Sequence, residues 1–255
     1  MTMKQPQNAF KSAIKAGKSQ LGIWNSIAEP TVIEALAGAG FDWVLIDAEH
    51  TPLSDADVMR ALQVIAAYPE TSAIVRPVAN DTAVIKRLLD IGAQTLLVPY
   101  VETRAEAQAA VDAMHYGPRG LRGYAGLTRS SRYGQVEGYG TGASDPLCLL
   151  LQVETAKGIE NLDAIAGVEG VDGVFIGPAD LAASMGHPGN TGHPDVVGAV
   201  EHAIARLKEL GMPAGFLSLD DAQNARCIEL GTTFTAVGVD MALLLSGLKN
   251  LRARF

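Results

Sequence analysis

Short apolar runs alternate with amphipathic stretches along the whole chain. The runs at 21–26 (LGIWNS), 43–49 (WVLIDAE), 72–78 (SAIVRPV), 95–101 (TLLVPYV), 147–154 (LCLLLQVE), 172–177 (DGVFIG), 213–218 (PAGFLS) and 233–239 (TFTAVGV) predict eight strands. They are nearly continuous rather than alternating, the pattern of strands buried on both faces of a parallel sheet. Between them, Val32, Ile33, Leu36 and Ala37 in 31–39, and Val84, Ile85, Leu88 and Leu89 in 82–91, recur at helical spacing, as do residues of about 103–115, 196–210 and 240–251. Glycine follows Ala39, Ile91, Leu210 and Leu230, where it reads as a helix C-cap leading into the next strand. Eight such units in 255 residues point to one closed (β/α)8 TIM barrel over 1–255 rather than an open doubly wound sheet. No GxGxxG follows the first strand, which weakens a dinucleotide-binding reading. One connection departs from the rhythm: residues 116–146 are rich in Gly, Arg and Tyr, and a loop of that length is functional or a subunit contact.

Hydrophobic residues at 48% and charged residues at 19% are an ordinary globular balance. The net charge of −8 disfavours nucleic acid as a partner. No apolar run approaches the roughly 20 residues of a membrane span, and the N-terminal segment lacks a continuous apolar core of signal-peptide length. Cys148 and Cys227 stand singly in apolar runs without metal-type spacing, as reduced core residues of a cytoplasmic protein would.

In a parallel barrel the chemistry sits at the C-terminal ends of the strands. Strand two runs into Asp47-Ala48-Glu49-His50, strand three into Arg76, strand five into Gln152-Val153-Glu154 and strand six into Gly177-Pro178-Ala179-Asp180. Glu154 and Asp180 each follow a wholly apolar strand, where an unpaired carboxylate is costly to bury. Together they suit an octahedral Mg²⁺ or Mn²⁺; the alternative is that Asp180 caps the following helix and Glu154 pairs with Lys157. Arg76, held extended by Pro77, suits a carboxylate or enolate, or else a neighbouring strand-end acid. His50 can act as a general base near neutrality. The segment GPRGLRG at 117–123, with Arg119 and Arg122, is a plausible anion nest. His115, His187, His193 and His202 lie in helices or loops without a partner pattern, and read as structural.

With these residues in place, the chain resembles the HpcH/HpaI aldolase family of pyruvate-specific class II aldolases. The matching stretches include AGAGFDWVLIDAEH at 37–50, VRP at 75–77, KRLLD at 86–90, QTLLVP at 94–99, GPRGLRG, RSSRY at 129–133, QVE at 152–154, GVDGVFIGPAD at 170–180 and AVGVD at 236–240. The resemblance implies a (β/α)8 barrel with its last helix exchanged between subunits of a hexamer built as a trimer of dimers. It implies a divalent ion (Mg²⁺, Mn²⁺ or Co²⁺) held by Glu154 and Asp180, and pyruvate held by Gln152, Asp180 and the backbone at Ala179. Arg76 would stabilise the enolate, and His50, paired with Asp90, would act in proton transfer. Work in the breakdown of aromatic or sugar acids goes with it.

The residues support that chemistry on their own terms. Cleaving a 4-hydroxy-2-oxo acid to an aldehyde and pyruvate, or a related 2-oxo acid such as hydroxypyruvate, leaves an enolate needing a divalent ion or a Schiff-base lysine. No lysine lies at a predicted strand C-terminus, and Lys86 and Lys157 fall in helices. Two other readings compete: a lyase acting on acyl-CoA esters or phosphoenolpyruvate on the same barrel, and a non-catalytic carboxylate-binding barrel. Trp24, Leu217 and Ser218 line the expected aldehyde side, with no charge to select a dicarboxylate.

Overall fold

The computed structural model describes residues 3–255. The chain opens with α1 (Ala9–Lys15) and then runs β1 (Gln20–Asn25), α2 (Pro30–Ala37), β2 (Trp43–Asp47), α3 (Asp55–Ile65), β3 (Ser72–Arg76), α4 (Thr82–Asp90), β4 (Thr95–Val98) and α5 (Arg104–Met114). After the long connection come α6 (Tyr139–Gly142), β5 (Cys148–Val153), α7 (Ala156–Glu160), α8 (Leu162–Ala166), β6 (Gly173–Ile176), α9 (Pro178–Ser184) and α10 (Pro194–Glu209). The barrel is completed by β7 (Ala214–Leu217), α11 (Asp221–Leu230), β8 (Phe234–Val239) and α12 (Asp240–Arg252). The eight strands are parallel and close in sequence order, β1 pairing with both β2 and β8. All eight expected strands are present.

Successive residues of each strand face opposite ways, and both faces are buried. Trp43, Leu45, Ile74, Leu97, Cys148, Leu150, Phe175, Phe234 and Ala236 pack inside the barrel. Val44, Ile46, Val75, Leu96, Val98, Leu149, Leu151 and Val153 pack outward against the helices. This two-sided burial is why the strands read as continuous apolar runs. The interior floor depends on two glycines. A Cβ at Gly22 would stand 2.0 Å from the Trp43 ring, and one at Gly215 would stand 2.1 Å from the Phe234 ring. Phe10 of α1 closes the floor from below, edge-on to Trp43 and Phe234 at centroid distances of 6.2 and 5.7 Å. Asn8 fixes α1 in place: its carbonyl caps the helix, and its amide donates to Thr95 Oγ1 (3.0 Å) and the Pro146 carbonyl (2.8 Å).

At the other pole the seam between β8 and β1 is irregular, with a register shift between Gly22 and Trp24. Buried Asp240, the first residue of α12, spans it by accepting from Asn25 Nδ2 (2.7 Å), Ser26 Oγ (2.6 Å) and the Ile27 N–H (3.0 Å). The 116–146 connection is more ordered than a plain loop. It contains a 3₁₀ turn at Arg129–Ser131, the short α6, and a small core of Val136, Tyr139 and Ala143 packed on Tyr116. Within α12 only Asp240 is buried, so the helix does not cover its own barrel; Met241, Leu243, Leu244, Leu245, Leu248 and Leu251 are exposed. Cys148 and Cys227 are buried free thiols. No described helix is long and apolar enough to cross a membrane.

Candidate active site

Strand alternation decides which polar residues reach the barrel mouth. Asp47 continues the inward series Trp43–Leu45, Arg76 continues Ile74, and Gln152 and then Glu154 continue Cys148–Leu150. All four are buried. The apolar interior layers thus end in a polar one made from three strands.

On the β2–β3 side, Asp47 and Arg76 form a paired fork, with Arg76 Nε–H donating to Asp47 Oδ1 (2.9 Å) and Nη2–H to Oδ2 (2.6 Å). Asp47 Oδ1 also accepts the backbone N–H groups of Glu49 (3.1 Å) and His50 (3.3 Å), and Oδ2 accepts Trp24 Nε1–H (3.2 Å). The Trp24 ring lies under the guanidinium, 4.8 Å from its carbon. Arg76 Nη1 is 2.9 Å from Glu49 Oε2, without the alignment of a hydrogen bond. Burial opposes ionisation of Asp47, but the hydrogen bonds and charge of Arg76, with Trp24, outweigh it and hold the carboxyl below the usual range. Glu49 goes the other way: burial, with the charges of Asp47 and Asp180, raises it despite Arg76 and His50. His50 projects from the loop beyond β2, 65% exposed, with Nε2 3.8 Å from Glu49 Oε2.

On the β5–β6 side, Glu154 is 2% exposed. Its Oε1 accepts the Tyr100 N–H (2.9 Å), and its Oε2 accepts from Gln152 Nε2. Tyr100 adopts φ 58°, a left-handed conformation that costs a non-glycine residue of order 1 kcal/mol and turns its N–H toward the carboxylate. Burial foremost, then the charges of Asp180 and Glu49, push the Glu154 carboxyl up to about 7. Asp180 occupies the first turn of α9. Gly177 leaves the gap in which this group sits: a Cβ there would meet Glu154 Oε2 at 2.7 Å and Gln152 Nε2 at 3.0 Å. Gln152 Oε1 is buried and unpartnered. Clustered carboxylates that raise one another, beside an orphaned amide oxygen, form an all-oxygen donor set deficient in positive charge. Those donors fit a hard divalent cation.

The structure therefore brings together Asp47, Glu49, His50 and Arg76 on one side, and Gln152, Glu154 and Asp180 on the other. Asp180 links them, since its charge acts on both Glu154 and Glu49. Ala179 is exposed on the first turn of α9, where backbone N–H groups have no intrahelical partner. Asp90 lies elsewhere. It ends α4, which returns the chain to the start of β4, and it accepts from Arg122 Nη2 at 2.8 Å at the opposite pole. Within one chain the carboxylate beside His50 is Glu49.

The alternatives raised by the sequence divide. Lys157 pairs with Glu102 (2.8 Å), not Glu154, and no side chain caps α9. Arg76 does pair with strand-end acids, and that pairing holds it at the mouth. Arg122 is committed to Asp90 and lies 4.4 Å over the Tyr116 ring, so it is not free to form an anion nest. Sequence reasoning missed Asp47 as the anchor of Arg76, Trp24 beneath it, Tyr100 and Asp240. A carboxylate ending an apolar strand, the rule that selected Glu154, would have selected Asp47 and Asp240 too; nothing in the sequence marks Tyr100.

The profile of the HpcH/HpaI aldolase/citrate lyase family matches residues 20–247. The chain is 56% identical over 253 residues to a pyruvate aldolase of Rhizobium etli, covering 99% of both proteins. It is 51% identical to a hydroxypyruvate/pyruvate aldolase of Pseudomonas aeruginosa, over 99% of this chain and 94% of that one. Among solved structures, an HpcH/HpaI aldolase/citrate lyase family protein from Burkholderia cenocepacia superposes with a TM-score of 0.94 at 36% identity, over 97% of this chain and 99% of that one.

Proposed function

The chain belongs to the HpcH/HpaI aldolase/citrate lyase family and is a carbon–carbon lyase of the aldolase type, and on that premise we propose that it cleaves 4-hydroxy-2-oxo acids, reversibly, to an aldehyde and pyruvate or hydroxypyruvate with a divalent ion at Glu154 and Asp180. The observation that carries this reading is the Glu154 carboxyl, buried and pushed up to about 7 by burial and the neighbouring acids. Such a group is poised to exchange its proton for a cation. Mg²⁺, Mn²⁺ or Co²⁺ would supply Lewis-acid polarisation of the 2-oxo carbonyl.

The protein's own residues do the rest. Gln152 Nε2, released from Glu154 when that carboxylate takes the ion, and the N–H groups at Ala179 and Asp180 donate to the 2-oxo acid at its carboxylate end. Arg76 meets the negative charge that develops on the enolate oxygen. Asp47, with help from Glu49, fixes the guanidinium plane before substrate arrives, so no reorganisation accompanies charge development. His50, at the solvent edge beside Glu49, passes the proton lost from the 4-hydroxyl during cleavage and returned to the aldehyde in condensation. Trp24 and Leu217 present an apolar wall to the aldehyde. The exposed apolar face of α12 supports a homo-oligomer, which we assign as the hexamer of exchanged last helices, and the two free thiols support a cytoplasmic setting.

Chelation should abolish cleavage and Mg²⁺, Mn²⁺ or Co²⁺ should restore it. Glu154→Gln should lose metal-dependent activity without unfolding. Arg76→Ala should lose both cleavage and pyruvate C3 proton exchange, and His50→Ala chiefly cleavage. Full activity in the chelated chain, or a lysine adduct trapped by borohydride, would exclude the reading; a 26.7 kDa monomer by light scattering would remove the oligomer.

A further inference from the structure

Away from the mouth, among the described residues, His187, His193 and Asp195 each place one ligand atom so that all three lie within 4.8 Å of one another. They sit where α9 hands over to α10. Gly186 and Gly189 take φ of 84° and 76°. Backbone bonds run from His187 N–H to the Ala182 carbonyl (2.7 Å), Asn190 N–H to His187 (3.0 Å) and His193 N–H to Asn190 (3.1 Å). Two consecutive turns result, and they bring the two imidazoles face to face, with centroids 3.5 Å apart and planes 13° apart. One carboxylate oxygen serves both rings: Asp195 Oδ2 is 3.7 Å from His187 Nε2 and 3.7 Å from His193 Nδ1.

Ligands bound tetrahedrally at about 2.1 Å stand about 3.4 Å from one another. From separations of up to 4.8 Å, reaching that spacing requires the stacked rings to tilt apart so that both in-plane lone pairs point at one ion, a side-chain rotation about a loop backbone already held by its turns. His193 Nδ1 now accepts a long 3.3 Å bond from the Asp195 N–H as the N-cap of α10, a bond that ligation through this nitrogen would exchange for the ion. Both imidazoles are partly exposed, at 27% and 31%, so an ion can enter from solvent.

We propose that His187, His193 and Asp195 form a second cation site, specific for a borderline transition ion such as Zn²⁺, Co²⁺, Ni²⁺ or Cu²⁺. Two imidazoles and one carboxylate with open positions favour those ions over Mg²⁺, whereas the oxygen donors of Glu154 and Asp180 favour hard ions. The two sites share an element. Asp180 lies on the first turn of α9 and His187 just past its end, so an ion at the second site fixes the far end of the helix that supplies Asp180.

The test uses the full chain without a histidine tag, carrying Glu154→Gln and Asp180→Asn so that the mouth no longer competes. Calorimetric titration with Ni²⁺ should find one bound equivalent, and adding His187→Ala should abolish it. Should that variant fail to fold, Cu²⁺ bound to the Glu154→Gln/Asp180→Asn chain should show nitrogen hyperfine splitting from two imidazoles by electron paramagnetic resonance. No Ni²⁺ binding in the Glu154→Gln/Asp180→Asn chain, an equivalent that survives His187→Ala, or an oxygen-only Cu²⁺ spectrum overturns the proposal.

Discussion

Replacing Asp47 by Asn removes one charge and substitutes one donor, NH₂, for one acceptor oxygen. With the amide nitrogen in the Oδ1 position it would face three donors: Arg76 Nε, Glu49 N and His50 N. In the Oδ2 position it would face two: Arg76 Nη2 and Trp24 Nε1. The second orientation is therefore adopted, and it breaks two charge-assisted bonds in a buried setting, since Arg76 Nη2 and Trp24 Nε1 both donate to an ionised carboxylate. Each bond to a charged group contributes about 1.5–3 kcal/mol, for a loss of about 3–6 kcal/mol. For a domain of this size that lowers Tm by about 6–24 °C.

A catalytic consequence accompanies the thermal one. Arg76 keeps Glu49 but loses the second tine of its fork, so the guanidinium plane is free to turn about the remaining contacts. Misplacing a preorganised donor costs about 10²–10³-fold in rate. Asp47→Asn should therefore depress both retro-aldol cleavage and pyruvate C3 proton exchange, as Arg76→Ala does. The double variant should be no slower than Arg76→Ala alone, because both changes remove one interaction. Additive losses in the double variant, or a Tm drop with proton exchange intact, would refute the positioning role.

The metal-free Glu154 carboxyl lies at about 7 against an ordinary 4.5, so the folded chain retains a proton the unfolded chain releases, and stability falls as pH rises through that window, by roughly 3 kcal/mol in full. Thermal melts of the chelated chain should show this slope between those values and lose it in Glu154→Gln. Gly177→Ala puts a methyl 2.7 Å from Glu154 Oε2, and should weaken Mg²⁺ binding by about 10–100-fold with little change in circular dichroism. Tyr100→Gly keeps the N–H that holds Glu154 and suits its φ, so stability should stay within about 1 kcal/mol of the parent. Tyr100→Pro removes that N–H and should lose metal-dependent cleavage.

The barrel was legible because each strand's burial on both faces writes itself as an apolar run, and several of the returning helices as periodic runs ended by glycine. Glu154 and Asp180 stood out because an unpaired carboxylate after such a run is costly to bury. The role of Asp47 was harder to read because its partners come from β1 and β3, which only closure of the barrel brings alongside β2. His187 and His193 look unrelated in sequence; Gly186, Pro188, Gly189 and Asn190 mark a turn there, but the succession of two turns that stacks the rings is a matter of backbone path. The environment of Asp90 was hidden for a further reason, since Arg122 reaches it from a connection whose path no periodicity foretells.

The seam that Asp240 spans also sets an order of events. It joins residues 20–27 to residues 234–240, with Asn25 and Asp240 215 positions apart in sequence. During synthesis at about 5–20 residues per second, the free edge of β1 has no partner until β8 is made. Seven strands can pair in turn as they emerge, but the eighth completes the cylinder and, through Asp240, locks the loop after β1 in the same step. A chain truncated before β8 keeps two open edges, β1 and β7, each able to pair with another unfinished copy. Truncation at the C-terminus should therefore produce aggregates rather than a smaller folded barrel, while removal of residues beyond Asp240 should spare closure itself.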